Sequence, residues 1–152
     1  MKPSMTPVPT CPMPVSHRLR VRFGECDPMG VVYHPNYLIW FHEARDSFLQ
    51  QAGIDLQALV RKGYSLPIVD ASCSYLRSAR YADEITVIAQ TTATRVAKLA
   101  FEFRIVHDKT GETLATGRTV SVVLDQDGRL LLSLPADMKV LEAPRQPIEA
   151  AV

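Results

Sequence analysis

This chain of 152 residues has few cysteines, a small net charge and no long apolar run. Its three cysteines, Cys11, Cys26 and Cys73, have neither the paired spacing of a zinc site nor the density of a disulfide-stabilised domain. The net charge is +1 and lysine and arginine form no block, so the basic surface of a nucleic-acid-binding protein is missing. We therefore expect no metal, no nucleic acid and a reducing compartment, the cytoplasm.

No apolar run is long enough to span a membrane. Residues 1–14 contain five prolines and no apolar stretch like that of a signal peptide, so we expect a disordered N-terminal tail. Hydrophobic residues make up 47% of the chain and charged residues 22%, which is typical of one globular domain. We assign that domain to residues 15–142 and a C-terminal tail to residues 143–152.

Hydrophobic periodicity predicts one strand, one long helix and four further strands. Basic and apolar residues alternate at 17–23, as in a half-buried strand. Asn36 and Gly53 suit the N-cap and the end of a helix over 35–51. The apolar face of this helix is wide and consists mainly of Tyr37, Trp40, Phe41, Ala44 and Phe48. Strand-like runs follow at 68–76, 85–94, 99–107 and 114–124.

This order of elements predicts an α+β domain in which a five-stranded antiparallel sheet wraps around one long central helix. The turn at Asp108-Lys109-Thr110-Gly111 predicts a hairpin between the last two strands. A short sheet of this kind leaves an edge strand open. We therefore expect the chain to assemble as a homodimer or homotetramer through that edge.

The segment FGECDPMGVVYHPNY joins the first strand to the helix. Pro28 cannot donate a backbone hydrogen bond, and Gly30 can adopt backbone angles closed to other residues, so the loop around Asp27 is tightly shaped. Taken alone, an Asp before Pro favours a simple turn residue whose side chain bonds the backbone. Cys26 has no paired base and is better explained as a small buried thiol than as a nucleophile.

Directly after this loop the chain enters the helix. The backbone N–H groups of Tyr33 and His34 therefore lie near a helix N-terminus, where they carry partial positive charge. Such donors can hold the oxyanion that forms when a carbonyl group is attacked.

The same segment resembles the signature of the 4-hydroxybenzoyl-CoA thioesterase family, in Asp-Pro-x-Gly-Val-Val followed by Pro-Asn-Tyr. The resemblance continues through the helix and the strand order to about residue 134. It implies a hotdog fold that hydrolyses an aryl- or short-chain acyl-CoA thioester to free acid and CoA, without a cofactor. It also implies that Asp27 is the catalytic carboxylate, acting as general base or as nucleophile, and that the His34 and Tyr33 N–H groups bind the oxyanion.

Around this centre, the resemblance and the apolar pattern suggest a set of substrate-binding residues on the loop and the helix: Gly30, Tyr37, Phe41, His42 and Glu43. His42 departs from the aryl-specific members of the family, where an acidic residue is expected. Glu25, the other nearby acid, is expected to be a solvated charge at a strand end.

The phosphates of CoA require basic partners. The resemblance implies Arg95 and Lys98, at the hairpin between the second and third of the four later strands, with Arg77 and Arg80 as alternatives. Each of these residues taken singly is equally consistent with an ordinary solvated charge.

Two other functions remain open at this point. A hotdog hydratase or dehydratase would use an Asp/His pair, but the expected Gly-Asp-x-Asn-Pro-x-His signature is missing. A non-catalytic acyl-thioester-binding module would tolerate loss of the acid, whereas Asp27 is present within the full signature. A metal site at Asp27, His34 and His42 matches no established ligand spacing.

Overall fold

The computed structural model describes residues 14–92, 96–142 and 148. The tails expected at residues 1–14 and 143–152 lie almost wholly outside these ranges, as do Cys11 and Arg95. Within the described ranges, no helix has the length and apolarity needed to cross a membrane.

Five antiparallel strands form one sheet in the order β1-β3-β4-β5-β2. Their bounds are β1 (Val15–Arg20), β2 (Ile68–Tyr75), β3 (Glu84–Thr91), β4 (Lys98–His107) and β5 (Thr113–Val122). The helices are α1 (Pro35–Gln51) and α2 (Leu56–Arg61), with 3-10 turns at Phe23–Glu25 and Ala136–Glu142. The predicted α+β fold, with one long helix against a five-stranded sheet, is confirmed.

The ends of α1 follow from local chemistry. Pro35 occupies the first turn, where a missing N–H costs nothing, and the N-cap is His34. The expectation that Asn36 is the N-cap is therefore wrong; its Nδ2 instead donates to the Glu25 carbonyl at 2.8 Å. Gly53 ends the helix as expected, with φ of +77° and with Ile54 N–H bonded to a carbonyl of the last turn.

The helix sits very close to the sheet at one point. The Phe41 ring stacks on Phe103, with 4.6 Å between centroids and an interplanar angle of 12°. A Cβ added at Gly117 on β5 would lie 2.2 Å from Phe41 Cε2 and 2.8 Å from the Ser72 carbonyl oxygen. A side chain of any size at position 117 would therefore push α1 away from the sheet.

β2 is an edge strand, and most of its residues are exposed. Helix α1 packs chiefly on β3 and β1 and touches β2 little. The inner face of β2, which pairs with Thr119, Gly117 and Ala115 of β5, carries Ala71, Cys73 and Tyr75. A groove therefore runs between α1 and β2, and we call it the α1–β2 groove.

Two local predictions differ from the structure. The first strand ends at Arg20 rather than continuing to Phe23, whose side chain is 78% exposed in a 3-10 turn. That ring packs edge-on against Tyr81 instead of entering the core. Helix α2, capped by the Asp55 carboxylate bonded to Ala58 N–H, was not predicted, because six residues give too little periodicity to detect.

Candidate active site

The loop that carries Asp27 is held by its own backbone. Asp27 N–H donates to the Val31 carbonyl at 2.9 Å, and Gly30 N–H, at a φ of +78°, donates to the Asp27 carbonyl at 3.0 Å. Asp27 Oδ1 accepts from Met29 N–H at 2.8 Å, the turn geometry typical of an Asp at this position. Within the described chain Oδ2 has no protein partner, so one carboxylate oxygen shapes the loop and the other stays available.

Asp27 lies at the wall of a cavity of about 250 Å³ at the N-terminal end of α1, which we call the Asp27 pocket. His34 and Tyr37 contribute from the start of the helix, and strand β2 and the segment after it supply the opposite wall. The chief polar and aromatic residues of the lining are Asp27, His34, Tyr37, Tyr75, Arg77 and Ser78.

The two expected oxyanion donors differ in availability. Tyr33 N–H already donates to the Glu25 carbonyl at 2.8 Å, so it is not a free donor, and this part of the expectation is corrected. His34 N–H has no protein acceptor in the part of the chain that the structure describes. It lies one residue before α1, where the dipoles of the first turn favour negative charge.

Tyr75, which sequence reasoning missed, closes the far wall of the Asp27 pocket. Its hydroxyl donates to the His34 carbonyl at 3.2 Å, and its ring packs edge-on against Tyr37 at 5.1 Å. Burial raises the pKa of both phenols from the ordinary value, and the Tyr37 hydroxyl accepts from Ala79 N–H at 3.1 Å. Alternation along the predicted second strand would have placed Tyr75 on the inner face, but not opposite His34.

Glu25 is not the solvated charge that was expected, and that prediction is wrong. It is 7% exposed and accepts hydrogen bonds from Arg22 N–H, the Arg22 guanidinium and Trp40 Nε1. Burial acts to raise the pKa of Glu25, but these donors outweigh burial and hold the pKa below its ordinary value. Glu25 thus anchors the loop to α1.

The remaining helix residues of the expected site lie apart from Asp27. Phe41 and His42 line a second cavity further along the α1–β2 groove, and His42 Nε2 lies 3.5 Å from Asp46 Oδ2. Glu43 faces β1 instead, where its carboxylate is 3.2 Å from His17 Nε2. Glu43 therefore lines neither cavity and braces the helix against the sheet.

Of the expected CoA contacts, Arg95 is outside the described residues. Lys98 begins β4, seven residues before Ile105, which is in register with Ala115 and Tyr75 at the Asp27 pocket. At ~3.4 Å per residue, Lys98 lies about 24 Å along the strand from Ile105. Arg77, by contrast, lines the Asp27 pocket and pairs with Glu112 at 3.1 Å. Arg80 Nη1 lies 3.4 Å from the Gly30 carbonyl.

No cluster of three potential metal ligands occurs among residues 14–92 and 96–142. Cys26 and Cys73 are free thiols. The Cys26 thiol contacts the Arg22 carbonyl at 3.8 Å rather than a base, and burial raises the pKa of Cys73. Neither cysteine is therefore arranged as an activated nucleophile.

Comparison with known proteins gives matches over most of the chain. Residues 21–142 match the model of the thioesterase-like superfamily. A 1,4-dihydroxy-2-naphthoyl-CoA hydrolase from Synechococcus elongatus is 31% identical over 117 residues, which cover 76% of this chain and 85% of the relative.

Solved structures agree with that result. A 1,4-dihydroxy-2-naphthoyl-CoA thioesterase from Synechocystis superposes with a TM-score of 0.79 at 25% identity, over 85% of this chain and 95% of the other. An Asp-to-Asn mutant of a 4-hydroxybenzoyl-CoA thioesterase, complexed with 4-hydroxybenzoyl-CoA, superposes with a TM-score of 0.76 at 25% identity. That match covers 87% of this chain and all of the other.

Proposed function

Since the chain belongs to the thioesterase-like superfamily, we propose that it hydrolyses the CoA thioester of a hydroxylated aromatic acid with Asp27 as catalytic carboxylate. The hotdog fold and the thioesterase class, both expected from the sequence, are confirmed by its relatives. One observation carries the rest of the proposal. Asp27 Oδ2 has no partner among the residues that the structure describes, and it lies at the wall of a cavity lined also by His34 and the start of α1.

The chemistry follows from those two groups. As general base, Asp27 takes a proton from water while the water oxygen attacks the thioester carbonyl carbon. As nucleophile, Asp27 attacks that carbon itself to form an anhydride, which water then hydrolyses. In either route the carbonyl oxygen becomes an oxyanion held by His34 N–H, the C–S bond breaks, and CoA leaves as a thiolate.

The choice of acyl group rests on the relatives and on the α1–β2 groove. The matched relatives described above are named for dihydroxynaphthoyl and hydroxybenzoyl thioesters, and a second cavity of about 220 Å³, lined by Leu38 and Phe41, lies between the same helix and strand. An aromatic ring suits such an apolar cavity. A short aliphatic acyl group is the alternative.

For the CoA half, Arg77 and Arg80 are the proposed phosphate partners within one chain, in preference to Lys98. Arg77 lines the Asp27 pocket, and the guanidinium of Arg80 reaches the loop at Gly30. A guanidinium is suited to phosphate because its N–H groups form a planar fork. We also propose a cytoplasmic homodimer or homotetramer joined through the exposed edge of β2.

The substitution Asp27→Asn tests the catalytic role, because the amide is similar in shape but neither basic nor nucleophilic. We expect kcat to fall on the order of 10²–10⁴-fold in a thiol-release assay, with the affinity for acyl-CoA retained. Asp127→Asn, in an exposed turn that lines neither cavity, is the matched control and should keep full activity. Full activity of Asp27→Asn would contradict the mechanism.

A further inference from the structure

Arg45 is a buried charge that forms no salt bridge within residues 14–92 and 96–142. It lies on α1 and is only 8% exposed, and its Nε and Nη1 atoms have no hydrogen-bond partner among those residues. The adjacent carboxylate, Asp46, attracts the guanidinium electrostatically, but its Oδ2 lies 3.5 Å from His42 Nε2 and its buried Oδ1 has no hydrogen-bond partner in the same part of the chain. Burial lowers the pKa of Arg45 from its ordinary value, although an arginine stays charged in proteins. Buried N–H groups without acceptors are costly, and a ligand oxygen that accepts from Nε and Nη1 would offset that cost.

The guanidinium belongs to the second cavity of the α1–β2 groove, which we call the Arg45 pocket. The lining is mainly apolar and comes from α1, β2 and β5: Leu38, Phe41, His42, Ile68, Ala71 and Thr119. Thr119 Oγ1 is also buried, and no described residue forms a hydrogen bond with it. The pocket therefore combines apolar walls with two unsatisfied polar side chains, the pattern of a site that orients a small ligand.

The Arg45 pocket lies one to two helical turns beyond the Asp27 pocket. His34 lines the first cavity and Leu38, one turn later, lines the second. Tyr37 and Arg45 are eight residues apart, about 12 Å along the helix axis. Helix side chains point back toward the N-terminus, so the guanidinium lies closer to Asp27 than its Cα does. An acyl group attached at the Asp27 pocket would extend toward Arg45.

We propose that Arg45 determines acyl specificity by binding an oxygen substituent, above all an anionic one, at the end of the acyl group remote from the thioester. This inference rests on the proposed function. Arginine has five N–H donors and no acceptor, so the ligand atom must be an acceptor such as a carboxylate, phenolate or hydroxyl oxygen. The apolar walls suit the ring or chain that carries this oxygen. His42 and Thr119 border the same pocket and contribute less, because neither is a fixed charge.

The test compares three thioesters of similar shape: benzoyl-CoA, 4-hydroxybenzoyl-CoA and 4-carboxybenzoyl-CoA. The wild-type protein should favour at least one oxygenated ring over benzoyl-CoA by about 10–10²-fold in kcat/KM, the range expected for a buried charge-assisted hydrogen bond. In Arg45→Met this ratio should fall to about one. The loss should lie in KM, since a contact remote from the carbonyl is made equally in ground and transition states.

A second readout does not depend on activity. Removing a buried guanidinium whose Nε and Nη1 have no acceptor among the described residues should leave the melting temperature of Arg45→Met equal to or above that of the wild type. Arg61→Met makes the same exchange at an exposed arginine on α2 and should change neither the specificity ratio nor the melting temperature.

Several results would overturn the proposal. A wild-type protein without preference for the oxygenated rings would do so. So would an Arg45→Met variant that loses activity equally on all three substrates, unfolds, or changes sedimentation, because the guanidinium would then serve the fold or a subunit contact. Failure of the proposed function is separate: no hydrolysis of any of the three thioesters, or full activity in Asp27→Asn, would contradict that function.

Discussion

Replacing Gly117 with alanine tests how closely α1 packs on the sheet. The added Cβ would lie 2.2 Å from Phe41 Cε2, 2.5 Å from Phe41 Cζ and 2.8 Å from the Ser72 carbonyl oxygen. The Phe41 ring cannot move away easily because it is stacked on Phe103, and the Ser72 carbonyl belongs to the backbone of β2. Backbone strain is not involved, since Gly117 does not have a positive φ.

Overpacking of this kind typically costs about 1–3 kcal/mol. For a domain of this size each kcal/mol shifts the melting temperature by roughly 2–4 °C, so calorimetry should show a fall of about 2–12 °C. Phe41→Leu removes the ring atoms that clash. The double variant should therefore be less destabilised than the sum of the single changes, with a coupling of about 0.5–3 kcal/mol.

Gly24→Ala is the matched control, because an added Cβ there would meet nothing within 4 Å. Its unfolding free energy should stay within about 0.5 kcal/mol of the wild type. An unchanged melting temperature in Gly117→Ala, or strictly additive effects with Phe41→Leu, would show that α1 does not approach the sheet as described.

Glu25→Gln should lower stability at neutral pH and flatten its acid dependence in urea titrations. Because the folded pKa of Glu25 lies below its ordinary value of 4.5, its contribution is complete above about pH 4.5 and is lost as the pH falls through the folded value. A wild-type pH profile in the glutamine variant would refute this. Arg77→Ala should raise KM severalfold for acyl-CoA but not for a truncated thioester without the nucleotide. Lys98→Ala should leave KM unchanged for both substrates. The reverse pattern would indicate that Lys98, and not Arg77, binds the CoA phosphates. Sedimentation should show a dimer or larger assembly at assay concentration, and an active monomer would contradict pairing through β2.

Much of the fold follows from short-range pattern. The helix over Pro35–Gln51 was predicted because its apolar residues recur at the helical period. Its end at Gly53 was predicted because the left-handed conformation that terminates many helices favours glycine. The later strands were located to within a few residues for the same reason. Errors occurred where the signal is local but weak: the short α2, and the N-cap, where Pro35 already starts the helix and frees Asn36 to bond the loop.

The candidate site divides differently. Asp27 and His34 are close in sequence, and the resemblance of their loop to the family signature indicated them. The roles of Glu25, Tyr75 and Arg45 depend on pairs that are distant along the chain, namely Glu25 with Trp40, Tyr75 with His34, and Arg45 with β2 and β5. Neither Arg45 nor Tyr75 belongs to the signature.

By itself, the sequence determined the long helix, the five strands and the loop that carries Asp27. These features depend on hydrophobic periodicity and on neighbours a few residues apart. Only the tertiary structure decided which side chains are buried without partners and which face the groove. Burial and pairing depend on how the sheet order β1-β3-β4-β5-β2 sets α1 over β3 and β1 and leaves β2 open. That offset is what creates the α1–β2 groove, with Asp27 at one end and Arg45 further along it.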